Sequence, residues 1–175
     1  MLGCAGIARV GPTFEVARSD IQLMVDVNFG GVVNLIDAVL PRMLARHSGE
    51  FAIIASATGL VPPRKMAAYG ATKAAVIGYM QSLRYETEGQ GVTVACVCPA
   101  AVSTPMAKDF FADPVKRGKS NAITPQQVVA GIEKGLRRKR FLIYTDPIGR
   151  VTALLARWLP GSIRALQRGK LGDLV

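Results

Sequence analysis

At 175 residues the chain is long enough for one domain with a genuine core and short for two. Half of its residues are hydrophobic and 19% are charged, which argues against a disordered chain and for a packed α/β or helical domain. The formal charge of +10 suits an anionic partner, whether nucleic acid, a membrane surface or a phosphorylated cofactor, and by itself selects none of them.

MLGCAGIARVGP opens the chain with a Gly-rich turn. Ile21 to Met43 carries apolar residues at helical spacing and ends at Arg46-His47-Ser48-Gly49, where His47, the only histidine, reads as part of a C-terminal cap. FAIIASA is a short apolar run of the kind buried on both faces of a sheet, and Met66 to Glu86 is again helical, ending at Gly89 and Gly91. VTVACVCP follows as a second buried strand stopped by Pro99. Its Cys96 and Cys98 share one face, where they read as buried small hydrophobes in a reducing compartment. With Cys4 the cysteine count is odd, and no second pair stands at zinc-finger spacing, so no metal site is expected.

After a polar loop from Lys108 to Ala122, Thr124-Pro125 predicts a helix running to about Arg138, with Thr as N-cap and Pro at the first helical position. FLIYTDP reads as a third strand. Helices alternating with short buried strands imply right-handed βαβ crossovers and a parallel α/β sheet from Phe51 to Asp146. The chain divides into residues 1–146 and a basic helical tail, 147–175. No charged leader opens the chain and no apolar run approaches the ~18 residues of a membrane span, so a cytoplasmic location is expected.

Tyr69 and Lys73 lie four apart within AAYGATKAAV, on one face of a helix. A phenol ionises near 10, and a fixed neighbouring cation would favour its phenolate, making Tyr69 a candidate general acid/base. Such pairs also arise by chance, with the lysine lying over a half-buried ring. Ser56, at the carboxyl end of the FAIIAS strand, strengthens the functional reading, because ligands of parallel α/β sheets bind beyond those ends. There it would hold a carbonyl oxygen while the tyrosine delivers its proton.

Ser56 followed by YGATK resembles the Ser…Tyr-x-x-x-Lys signature of the short-chain dehydrogenase/reductase family. VDVNFGG is similar to the family helix that carries a catalytic asparagine, here Asn28. CAGI at 4–7 resembles the end of its Asn-Asn-Ala-Gly turn, and PAAVSTPM at 99–106 its Pro-Gly-x-Val-x-Thr loop. The resemblance covers about residues 1–146. It implies a Rossmann-like, doubly wound parallel sheet and an oxidoreductase that moves hydride between an alcohol or ketone and NAD or NADP. Tyr69 would be the acid/base, Lys73 would lower its pKa and hold the nicotinamide ribose, Ser56 would orient the substrate, and Asn28 would support a water-linked relay to Lys73. Ala5, Gly6, Tyr69, Lys73, Pro99, Val102 and Thr104 would line the cofactor.

The family opens with a strand and a Gly-rich turn, Thr-Gly-x-x-x-Gly-x-Gly, that receives the cofactor pyrophosphate at a helix N-terminus. That turn and the first strands are missing from this sequence, and their loss would expose a long apolar sheet edge. A truncated enzyme is therefore expected. The alternative is a non-catalytic association module, derived from the same family, that holds no dinucleotide. Gly3 and Cys4 replace two asparagines, and Ala100 replaces a glycine where its methyl would stand near the nicotinamide.

GRVTALLARWLPGSIRALQRGK places Val151, Leu154, Leu155, Trp158 and Leu159 on one helical face beside Arg150 and Arg157, and Pro160-Gly161 breaks the helix before Ile163 and Leu166. It would dock on the core or a sister subunit of a homo-oligomer, or make peripheral contact with an anionic membrane through 148–170, which would suit a lipophilic alcohol or ketone substrate. LRRKR at 136–140 reads as a cationic helix C-terminus, and no nucleic acid is expected because aromatic interleaving is absent. Phe110 and Phe111, in the loop where the family keeps its substrate lid, would line an apolar pocket or pin the loop.

Overall fold

The computed structural model describes residues 1–107, 122–159 and 161. Among these, β1 (Leu2–Gly3), β2 (Gly49–Ile54), β3 (Val92–Val97) and β4 (Leu142–Ile143) form one sheet in the order β1-β2-β3-β4, every pairing parallel. Parallel neighbours need long crossovers. Helices α1 (Arg18–Val25) and α2 (Gly31–Ala45) join β1 to β2, α3 (Ala67–Glu86) joins β2 to β3, and α4 (Pro125–Arg137) precedes β4. Helix α5 (Pro147–Trp158) follows. This is the α/β parallel sheet expected from the sequence.

Side-chain alternation on β2 and β3 builds the layers. Phe51, Ile53, Val94, Cys96 and Cys98 face Val32, Ile36 and Met43 of α2 and Val76, Ile77, Met80 and Leu83 of α3. Ala52, Ala95 and Val97 face the other way, against Val128 and Ile132 of α4. Phe51, Ile53 and Met80 are at most 1% exposed, each contributing about 1.5–3 kcal/mol by leaving water. The cysteines at 96 and 98 are free and buried, as expected. A hydrogen bond with Cys98, and then burial, push the Cys96 thiol far up, so it behaves as an inert hydrophobe.

The expected helix over Ile21–Met43 is longer and interrupted. A π-helical turn, Asp26–Gly30, joins α1 to α2, so Arg18–Ala45 forms a rod of 28 residues. By length and composition it is apolar enough to cross a membrane, which corrects the expectation that no segment approaches that length. A count of consecutive apolar residues missed it because scattered polar positions interrupt the run. Met24, Asn28, Val32, Ile36 and Met43 are buried along it.

His47 closes α2 with φ of 48° and donates its N–H to the Leu44 carbonyl at 3.0 Å, the cap read from the sequence. Gly91 lies against it. At φ of 75° a Cβ there would stand 1.9 Å from the His47 oxygen, so only glycine fits. The strand expected over FLIYTDP shrinks to Leu142–Ile143, because after Ile143 the chain turns and Asp146 caps α5. The long apolar edge expected from missing strands is likewise short. β1 is two residues long, with Met1 and Leu2 half exposed.

Thr124 and Gln127 form a full capping box at the start of α4, Thr124 Oγ1 accepting from the Gln127 N–H at 3.2 Å and Gln127 Oε1 from the Thr124 N–H at 2.8 Å. Thr124→Ala should cost about 1 kcal/mol, read as a lower denaturant midpoint at unchanged slope.

Candidate functional site

Because the sheet is parallel, the carboxyl ends of β1, β2 and β3 open on one side. The turn Cys4–Ile7 follows β1, Ser56 follows β2, and Pro99 follows β3. The first turns of α3 bring Tyr69 and Lys73 to the same side. Ser56, Tyr69 and Lys73 are 5%, 7% and 4% exposed. A serine, a phenol and an ammonium buried together need partners, and the loop after β2 supplies them.

Ser56 caps a short 3₁₀ turn, Ala57–Gly59. Its Oγ accepts from the Thr58 N–H at 3.1 Å and the Thr58 hydroxyl at 2.8 Å, which occupies both lone pairs and leaves the Ser56 proton free to be given away. Its side chain is hydrogen-bonded to Tyr69. Burial raises the Tyr69 pKa and the Ser56 bond lowers it, burial being the larger effect. The phenol is therefore held in its protonated form. The net direction is opposite to the lowering expected from Lys73, whose Nζ stands 5.8 Å from the Tyr69 ring centroid; the lowering influence found here is the Ser56 bond.

Lys73 Nζ donates to the Ile54 carbonyl at 3.0 Å, its one hydrogen bond among the described residues. Burial lowers its pKa to about 8, opposed by the nearby Cys96, Cys98 and Cys4. Its other two donor positions have no hydrogen-bond partner among the described residues.

Asn28, fully buried in the π turn, uses both amide hydrogens and one lone pair of its oxygen. Its Oδ1 accepts from the Ile7 N–H at 2.8 Å, and its Nδ2 donates to the Ile7 carbonyl at 2.9 Å and to Thr72 Oγ1 at 3.0 Å. It clamps the turn after β1 onto α3. No hydrogen bond joins it directly to Lys73 among the described residues, and the expected relay is a water-linked one. However, a Cβ built on Gly6 would stand 3.3 Å from both Asn28 Oδ1 and Lys73 Nζ, so glycine keeps open the space between them. π turns are frequent at functional sites, and this one sets the depth of Asn28.

Small residues around Tyr69 serve packing on one side of α3. A Cβ on Gly59 would lie 2.7 Å from the Lys73 backbone, and one on Gly70 would lie 2.8 Å from Pro62 Cβ. The 56–62 loop thus presses directly on the helix that carries both residues.

The remaining cofactor candidates are spread along the rim. Ala5 is exposed and Gly6 half-buried. Pro99 is buried, and its carbonyl accepts from the Ala57 N–H at 2.9 Å, joining the ends of β2 and β3. Val102 bridges to Ile123 and Thr104 donates to the Val102 carbonyl at 3.4 Å, while Met106 packs against the cluster holding Met66 and Tyr69. The Ala100 N–H donates to Asp146 at 3.2 Å. Its methyl lies 3.4 Å from where a Cβ on Gly149 would stand, so it faces the start of α5. Phe110 and Phe111 lie outside the described residues. Thr58 and Thr72, which orient Ser56 and anchor Asn28, were not anticipated; threonines two and three residues from the catalytic candidates were the available signal.

A family model for short chain dehydrogenases matches residues 1–115. Oxidoreductase UcpA of Escherichia coli strain K12 is 34% identical over 155 residues, 87% of this chain and 56% of that protein. The fold is similar to that of a short chain dehydrogenase from Burkholderia cenocepacia J2315 in complex with NADP, with a TM-score of 0.82 at 21% identity over 95% of this chain and 68% of that one. A short chain dehydrogenase/reductase from Burkholderia phymatum in complex with NAD gives 0.77 at 23%, over 89% and 64%. The chain spans about half the length of the curated relatives it matches.

Proposed function

Because the chain belongs to the short-chain dehydrogenase family, we propose that it carries the catalytic half of an NAD(P)-dependent oxidoreductase that interconverts an alcohol and a ketone or aldehyde. The observation behind this reading is the burial of Ser56, Tyr69 and Lys73 in one hydrogen-bonded site at the carboxyl ends of the strands. The other two donor positions of Lys73 and the space kept by Gly6 fit a nicotinamide ribose. Tyr69, with Ala5, Pro99, Val102 and Thr104, would complete that end, and the dinucleotide when bound supplies or accepts the hydride.

The side chains have separate tasks. Tyr69 keeps its proton through neutral pH because burial opposes the phenolate, so it is poised as the acid of carbonyl reduction. Ser56, held by Thr58, donates toward the same oxygen and would stabilise the phenolate left behind. Lys73, mostly charged at pH 7, would favour that phenolate and hold hydroxyls. Asn28 positions Gly6 and α3, leaving any relay to a water between Asn28 Oδ1 and Lys73 Nζ.

Calorimetric titration of the folded chain with NADH and with NADPH tests the reading. Saturable binding, followed by ketone reduction, supports it. A folded chain that binds neither favours the second reading, a non-catalytic association module built on the same helices and sheet.

A further inference from the structure

Helix α5 reverses the usual arrangement of a surface helix, which buries its large apolar residues and exposes its small or polar ones. Its inward side is Gly149, buried, with Thr152, Ala153 and Ala156, half-buried. The opposite side carries Val151, Leu154, Leu155 and Trp158, followed by Leu159, which are 54%, 46%, 41%, 75% and 52% exposed. At 100° per residue these five fall within an arc of ~140°. The helix is fixed in this orientation. Asp146 caps it by accepting from the Gly149 N–H at 2.6 Å, and its other oxygen accepts from the Ala100 N–H at 3.2 Å, on the loop after β3.

We propose that this stripe is a docking surface for an anionic lipid bilayer, with α5 lying in the plane of the interface. Twelve residues of helix reach ~18 Å, too short to cross a hydrocarbon core of ~30 Å but suited to lying along its boundary. Charge selects the occupant. Arg150 is exposed beside the stripe, and from Pro147 onward the sequence holds five basic residues and one acid, Asp173, within a chain of net charge +10. A second copy would bring this basic stretch of sequence against itself, whereas an anionic membrane answers both the charge and the apolar face. Trp158, the most exposed of the five, has the amphipathic ring favoured at that boundary.

Trp158 is also the only tryptophan in the chain, so its emission reports on the stripe alone. The full-length protein is titrated with phosphatidylcholine vesicles, with and without about a third phosphatidylserine. With anionic vesicles the emission should shift to the blue and be quenched by brominated acyl chains, and binding should be about tenfold weaker or more on phosphatidylcholine alone or at high salt. Leu154→Glu with Leu155→Glu should abolish the shift while circular dichroism stays unchanged, both side chains being outside the core. Unchanged, unquenched emission with anionic vesicles overturns the proposal. So does a blue shift that appears without lipid as protein concentration rises, which assigns the stripe to a second copy.

Discussion

Tyr69→Phe should lower carbonyl reduction about 10²- to 10⁴-fold, the range for losing a positioned general acid, while leaving the fold intact. The ring stays in its cluster with Ala8, Met24 and Met66, and only the hydroxyl is lost. Its removal leaves the Ser56 proton without its acceptor, a cost of about 1 kcal/mol, while the two bonds that Thr58 donates keep the Ser56 side chain in place. Turnover with bound NADH or NADPH and a thermal midpoint, measured together, check both halves. A variant within threefold of the parent's rate would remove Tyr69 from the mechanism. The pH profile adds a second discriminant. The acid form of Tyr69 is lost only as pH passes its raised value, so an alkaline limb near pH 8 in kcat/KM belongs to Lys73.

Lys73→Met should stabilise the chain at pH 7 while impairing activity. Burial depresses the folded-state pKa of Lys73 from 10.5 to about 8, so between those values the unfolded chain binds more protons than the folded one. Stability contributed by this residue therefore rises with pH across that window. Below pH 8 the buried charge costs about 3 kcal/mol, offset in part by its bond to the Ile54 carbonyl. Methionine fills a similar volume without the charge. Unfolding free energies from denaturant melts should favour the variant by about 1–3 kcal/mol at pH 7 and converge as pH approaches 10.5. A difference independent of pH would show that Lys73 is not strained by burial.

Elements marked by two independent signals were the most legible. FAII and VTVACV are apolar on both faces and bounded by turn residues, and Thr124-Pro125 gives a cap and a first-turn proline together. Pairing of Tyr69 with Lys73 followed from helical spacing. What escaped the sequence depends on burial or on backbone register. Nothing in VDVNFGG announces a π turn, because one extra residue per turn leaves no compositional mark. The direction of the Tyr69 shift is a contest between desolvation and a neighbouring donor, and it turns on a burial that helical spacing does not determine. In α5 the amphipathic pattern was plain, yet which face meets the protein was decided by Gly149, Ala153 and Ala156, whose small size admits close packing.

The pairing of Leu2 with Ala52 and Gly3 with Ile53 closes a chain segment that contains all of α1 and α2, for two residues of ladder. β2 and β3 match six residues across the single helix α3. Loop-closure entropy is similar for both, but the reward is not. In native-state hydrogen exchange, β1 amides belong with the first to open and those of β2 and β3 with the last. The turn that Asn28 clamps begins one residue after β1, so a two-residue edge strand governs how long the glycine side of the site stays assembled.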